Sequence, residues 1–139
     1  MTTTKTHKIE AKFGGQELVF ELPRSDLDIV EAMIGETLNA RLQRIVHGVA
    51  SVADVTEILE LAAPFGKGSP ICKRSDMGFI AMKRSLRTLK PQAQTFVAKT
   101  LIEHGPMKYA VLAQGVIAAA LFGVPEAAAK FDENEEADD

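Results

Sequence analysis

Residues 109–123 read YAVLAQGVIAAALFG, and how this run is covered decides the fold. On a helical wheel it is apolar on every side except at Gln114. A helix of that kind has to be enclosed, by its own domain, by a second copy or by another protein. It falls short of the roughly 20 apolar residues that span a bilayer. Lys108 precedes it and Pro125 follows it closely. Ala110, Ala113, Gly115, Ala118, Ala119 and Ala120 leave little side chain between the helix and whatever lies against it. Tyr109, Leu112, Val116, Ile117 and Leu121 are therefore the candidate contacts, either with a partner or second copy or with the core of the same domain.

Toward the N-terminus, Ile9, Ala11 and Phe13 alternate with polar neighbours, as do Leu18, Phe20 and Leu22, with Gly14 and Gly15 between them. That pattern predicts a β-hairpin whose apolar face needs cover from helices or further strands. After Pro23, Ser25 offers an N-cap with Asp28 three residues on, and Leu27, Val30, Met33 and Ile34 share a face up to a stop at Gly35. A second helix is expected from about Glu36 to Gly48, with Leu38, Leu42, Ile45 and Val46 at helical spacing. Ser51 caps a third, with Asp54 at its N3 position and Val52, Val55, Ile58, Leu59 and Ala62 inward, ending at Pro64. Residues 64–72 read as a loop and 75–89 as a helix with the stripe Phe79, Met82, Leu86 and Leu89. A further helix over 91–104 turns Phe96, Val97, Leu101 and Ile102 inward before Gly105 and Pro106 break it. Past Pro125 the chain is alanine-rich and then acidic, which predicts a helical turn or two followed by disorder.

The 139 residues make one domain's worth of chain, with an ordinary globular balance of 46% hydrophobic and 25% charged residues. Without tryptophan and with a single tyrosine, the composition disfavours sugar-binding and base-stacking surfaces. One cysteine, Cys72, excludes an intramolecular disulfide, and the N-terminus has no apolar signal segment, so a cytoplasmic setting is expected. The net charge of −3 conceals two blocks. Residues 126–139 carry seven acids against one base, and residues 67–90 carry seven bases against one acid. The basic block presents Lys83, Arg84, Arg87 and Lys90 as an electrostatic surface. With a pI near 5.6 and no interleaved aromatics, that surface reads as a solvated helix face or a contact for an acidic protein rather than for nucleic acid.

No constellation of catalytic residues stands out. His7, His47 and His104 are far apart, and with the lone Cys72 they make no metal-ligand spacing, so neither a metal nor a cofactor is expected. His47 and His104 each precede a glycine, where a cation would complement a helix C-terminus. Lys73 and Arg74 would favour a Cys72 thiolate, but no base can be assigned to it. The segment GKGS at 66–69 lacks the earlier glycine and strand of a phosphate loop. Asp54, Glu57 and Glu60 read as a capping residue and a solvated helix face rather than an acid–base pair.

Two stretches carry a resemblance. Residues 22–62, LPRSDLDIVEAMIGETLNARLQRIVHGVASVADVTEILELA, follow the hairpin, and residues 103–126 read EHGPMKYAVLAQGVIAAALFGVPE. In this order they resemble the gene transfer agent and phage tail assembly chaperone family. The shared features are the glycine-turn hairpin, the short helix with a glycine stop, the V-A-D-V-x-E-I-L helix and the alanine-rich helix ending in F-G. The resemblance implies a non-catalytic adaptor that binds the tape measure protein while a phage-like tail assembles; the tail tube protein and a second copy of the chain are further candidate partners. It implies no membrane association. A structural tail component retained in the particle is the alternative. A small DNA-binding regulator using Arg84 and Arg87 is a weaker one. The expected fold is α+β and mostly helical: an N-terminal β-hairpin packed on a five- to six-helix bundle over residues 1–125, with a disordered acidic tail over 126–139.

Overall fold

Positive φ angles at Gly14 (60°) and Gly15 (78°) close the first tight turn, and both fit the two-residue hairpin turn that only glycine-like residues enter freely. The structure, a computed structural model, describes residues 4–63 and 96–134. The hairpin strands are β2 (Ile9–Phe13) and β3 (Gln16–Phe20), after a short β1 (Lys5–Thr6). Their register pairs Ile9 with Phe20 and Phe13 with Gln16. Ile9, Ala11, Phe13, Leu18 and Phe20 all face the core, as the alternation required.

Three helices follow. A 3-10 turn, Arg24–Asp26, leads into α1 (Leu27–Ile34). Ser25 is therefore not the N-cap: Asp26 holds that position, without a side-chain cap bond, because the 3-10 turn takes up the residues between Pro23 and the helix. Gly35 ends α1 in the left-handed conformation. Helix α2 (Leu38–Val46) is capped by Thr37, whose hydroxyl accepts from the Ala40 N–H at 3.0 Å. Helix α3 (Val52–Ala62) has the full capping box: the Asp54 N–H donates to Ser51 Oγ at 3.1 Å, and the Ser51 N–H donates to Asp54 Oδ2 at 2.8 Å.

The chain then runs through α4 (Phe96–His104), a 3-10 turn (Pro106–Tyr109) and α5 (Ala110–Phe122). Beyond Gly123 come β4 (Val124–Pro125), a 3-10 turn (Glu126–Ala128) and β5 (Lys130–Asp132). β4 pairs antiparallel with β1, and β5 adds to the far side of β2 in parallel, giving the order β3-β2-β5. The architecture is α+β, with N-terminal strands preceding the helices. The expected domain boundary at residue 126 is corrected, because residues 126–134 belong to the folded unit. A parallel strand needs a distant partner, so nothing local in this segment announces it. The loop at 64–72, Cys72, the basic helix at 75–89 and residues 91–95 of the expected next helix lie outside the described residues.

Helix α5 lies against α2, α3, β2 and the turn before it. Its alanines let these neighbours approach closely, with Ala113, Ala119 and Ala120 buried. At one end of this core is an aromatic cluster built on Phe13. Its ring centroid lies 5.2 Å from that of Phe20, 5.9 Å from Phe96 and 5.0 Å from Tyr109, each edge to face. At the other end Arg24 caps α5, its Nε donating to the Ala120 carbonyl at 3.0 Å. A guanidinium there satisfies a terminal carbonyl and complements the negative end of the helix dipole.

Candidate interaction surface

Four of the five contacts expected on the apolar run are core. Tyr109, Leu112, Val116 and Ile117 are each at most 1% exposed, and Leu121 is half-buried. The chain covers this face itself, which corrects the reading of these side chains as a partner surface. The periodicity could not separate the two cases, since a run apolar on all sides demands cover without naming its source.

The opposite side of α5 stays open. Val111 is 68% exposed and Phe122 is 62% exposed, with Gln114 between them also exposed. Two more exposed apolar side chains lie nearby in sequence, where α4 turns into α5. Ile102 in the last turn of α4 is 59% exposed and Met107 in the intervening 3-10 turn is 45% exposed. Ile102 was expected to point inward, but the core reaches only the Val97, Thr100 and Leu101 side of α4. Similar exposure corrects Val52, expected inward, and Val46 and Val49 are exposed across the same α2–α3 connection. In each case the apolar stripe read from spacing is wider than the face that the neighbouring elements cover.

A second feature is polar and buried. The Glu133 carboxylate accepts from the Gly14 N–H at 2.9 Å, the Gly15 N–H at 2.9 Å and the Tyr109 hydroxyl at 2.8 Å. One carboxylate thus ties the last strand to the hairpin turn and to the head of α5. Burial pushes Glu133 up, but the Gly15 and Gly14 amides, the Tyr109 hydroxyl and the charge of nearby His104 together outweigh it and hold the carboxyl below its ordinary value. Burial, and then the adjacent carboxylate, push the Tyr109 hydroxyl up. A β-carbon on Gly14 would sit 2.5 Å from Phe96 Cζ, so this seat tolerates only glycine there. Nothing in the sequence pointed to Glu133, one of seven acids in a block that read as solvated.

A third feature is a charge network on α2 and α3. Arg41, 3% exposed, donates from Nη1 to the Asp54 carbonyl at 3.0 Å and from Nη2 to Glu57 Oε1 at 3.0 Å, and its Nε pairs with Glu36. Arg44 bridges Glu36 and Asp54, donating to Asp54 Oδ1 at 3.0 Å. The Arg44 guanidinium lowers both carboxyls, Asp54 to about 2. Asp54 is the capping residue that the spacing predicted, whereas Glu57 is an ion-pair partner rather than part of a solvated face. Arg41 and Arg44 lie three residues apart on α2, and nothing in the sequence singled them out. The network fixes the angle between two helices and their connection, a structural role for charges that are paired and hydrogen-bonded.

His7 pairs with Glu21 at 2.7 Å, His47 follows α2 directly and His104 ends α4. Among the described residues no group of three or more histidine, cysteine or acidic side chains is placed to hold a metal ion. No single helix among them is long and apolar enough to cross a membrane. Lys83, Arg84, Arg87 and Lys90 lie outside the described residues. No protein-family model, curated protein or solved structure matches this chain.

Proposed function

We propose that this protein is a non-catalytic tail assembly chaperone of the phage-like kind, binding the tape measure protein while the tail tube polymerises. The supporting observation is the exposure of Ile102, Met107 and Val111 at the corner between α4 and α5, where Met107 and Val111 lie on the C-terminal stretch that carries the family resemblance and Ile102 directly precedes it. Three large apolar side chains within ten residues, each close to half exposed or more, provide a surface for an amphipathic helix of a client. This corner replaces the buried face of α5 as the place where a helical client docks.

Co-purification with a tape measure protein from the same genome tests the reading. The natural chain is expected to retain the client. A chain carrying Ile102→Ser, Met107→Ser and Val111→Ser is expected to lose it while keeping its circular dichroism and melting temperature. Retention by the triple variant moves the docking surface elsewhere, and failure of the natural chain to bind refutes the chaperone role. Mass spectrometry of purified particles separates a chaperone, absent or trace, from a retained structural component.

A further inference from the structure

The C-terminal strap, residues 124–134, is held by β4 on β1, by β5 on β2, by Ala129 in the core with Val124 and Phe131 packed against it, and by one carboxylate contact. Pro125, Glu126, Ala127, Ala128 and Lys130 are exposed, Phe131 is half-buried, and only Ala129 and Glu133 are buried. Its backbone extends the sheet along β2, with Lys130, Phe131 and Asp132 in register with Glu10, Ala11 and Lys12. Further bonds bracket the ladder: the Glu10 N–H donates to the Ala129 carbonyl at 2.9 Å, and the Glu133 N–H donates to the Lys12 carbonyl at 3.1 Å. Small, aromatic and acidic side chains thus meet the body at every second residue: Ala129, Phe131 and Glu133. The acid enters a seat made by two turn amides and a fully buried tyrosine hydroxyl. Functionally, the edge of β2 is a strand acceptor, and the strap is the ligand it holds.

The local sequence argues against this placement. Residues 126–130 read EAAAK, the composition of semi-rigid helical spacers and among the strongest helix formers. In the fold, Glu126–Ala128 form a single exposed 3-10 turn, after which Ala129 (φ −88°, ψ 46°) leaves helical geometry. Conflict between local preference and global fold marks a segment with an alternative. Released from β2, this segment is free to form helix; when the ladder re-forms on another copy, Ala129 and Lys130 return to it and Glu126–Ala128 remain as the hinge. The vacated seat finds the same small–aromatic–acidic strand on another copy. The ladder and the carboxylate seat broken within each molecule re-form between two, and mutual exchange closes a two-fold pair.

We propose that the β2 edge, with the carboxylate seat of Gly14, Gly15 and Tyr109, is a strand-binding site at which the strap of a second copy replaces the chain's own. This does not depend on the chaperone reading. The register supplies the test, because Lys12 and Asp132 are direct neighbours on the open face of the sheet. Lys12→Cys and Asp132→Cys are made in separate full-length chains carrying Cys72→Ser, mixed over a range of concentrations and equilibrated in a glutathione redox buffer. Glu17→Cys mixed with Asp132→Cys is the collision control, since β3 lies beyond β2 at about two strand spacings, outside disulfide reach. A chain carrying both Lys12→Cys and Asp132→Cys reports the bridge made within one molecule. The expected result is a disulfide-linked heterodimer that increases with protein concentration and stands clear of the control. Heterodimer no greater than the control overturns the proposal. Failure of the doubly substituted chain to bridge internally also overturns it, because the acceptor register would then be wrong.

Discussion

Removing the Tyr109 hydroxyl isolates the strap's polar contact, because Tyr109→Phe keeps the ring in the aromatic cluster and deletes one donor to Glu133. A hydrogen bond to a charged acceptor contributes about 1.5–3 kcal/mol. The melting temperature should therefore fall by roughly 5–12 °C for a domain of this size. Glu133→Gln removes more. Its single carbonyl oxygen cannot serve three donors, and its amide group faces one of them. The exposed Gly15 amide turns to water, so the expected loss is about 2–4 kcal/mol. In the double variant the two losses overlap, with a coupling of about 1–2 kcal/mol measurable by urea unfolding. Two pH signatures accompany the cycle. Glu133 is lowered in the folded state, so its contribution is complete above the ordinary glutamate value of 4.5 and fades as pH falls, bringing the natural chain and Glu133→Gln together in acid. Tyr109 is raised, so its contribution holds below the ordinary value of 10.0 and is lost as pH climbs above it. The chain has one tyrosine, so phenolate absorbance reads this group alone and should stay silent until the protein unfolds. Single losses that add to within about 0.5 kcal/mol, with phenolate appearing near its ordinary pKa, would refute the buried seat.

Substitutions to alanine at three glycines should separate turn, clash and helix. Gly14→Ala meets both a positive φ and a contact at 2.5 Å, which predicts a loss of about 2–4 kcal/mol. Gly15→Ala meets only the positive φ, for about 1–2 kcal/mol. Gly115→Ala gains helix propensity and lands 3.8 Å from Ile9 Cδ1, so it should be neutral or stabilising by up to about 1 kcal/mol; differential scanning calorimetry orders the three. Within α5, Ile117→Ala should cost about 2–5 kcal/mol and Val111→Ala less than about 0.5 kcal/mol, and equal costs in chemical denaturation would contradict their burial. Asp54 is lowered from 3.8 to about 2, so its pairing stabilises the fold above the higher value and is lost as pH falls through the lower one. Asp54→Asn should flatten the acid limb of a stability–pH profile.

Much of the fold was legible wherever a residue's role depends on near neighbours in sequence. The hairpin followed from alternation around two glycines, and the start of α3 from a serine and an aspartate three residues apart, because turn and cap geometry are settled within a few residues. Burial was legible only as a direction. Helical spacing gave Val46, Val52 and Ile102 the same standing as Leu42, Val55 and Leu101, and only the packed neighbours decide which of them find cover. The candidate site was least legible where two distant segments meet. Glu133 lies 119 residues from Gly14, and its acidic setting gave every reason to leave it in water. What draws it inward is the supply of donors: two turn amides aimed one way and a tyrosine hydroxyl buried beside them. With the tyrosine hydroxyl enclosed by the aromatic cluster and the Gly14 amide half-buried beside it, a carboxylate from anywhere in the chain is stabilised there more than water would stabilise it. The physical cause of the strap's position thus resides in the hairpin and the head of α5 rather than in the strap. A strand chosen by its acceptor in this way can be exchanged for another carrying the same side chains.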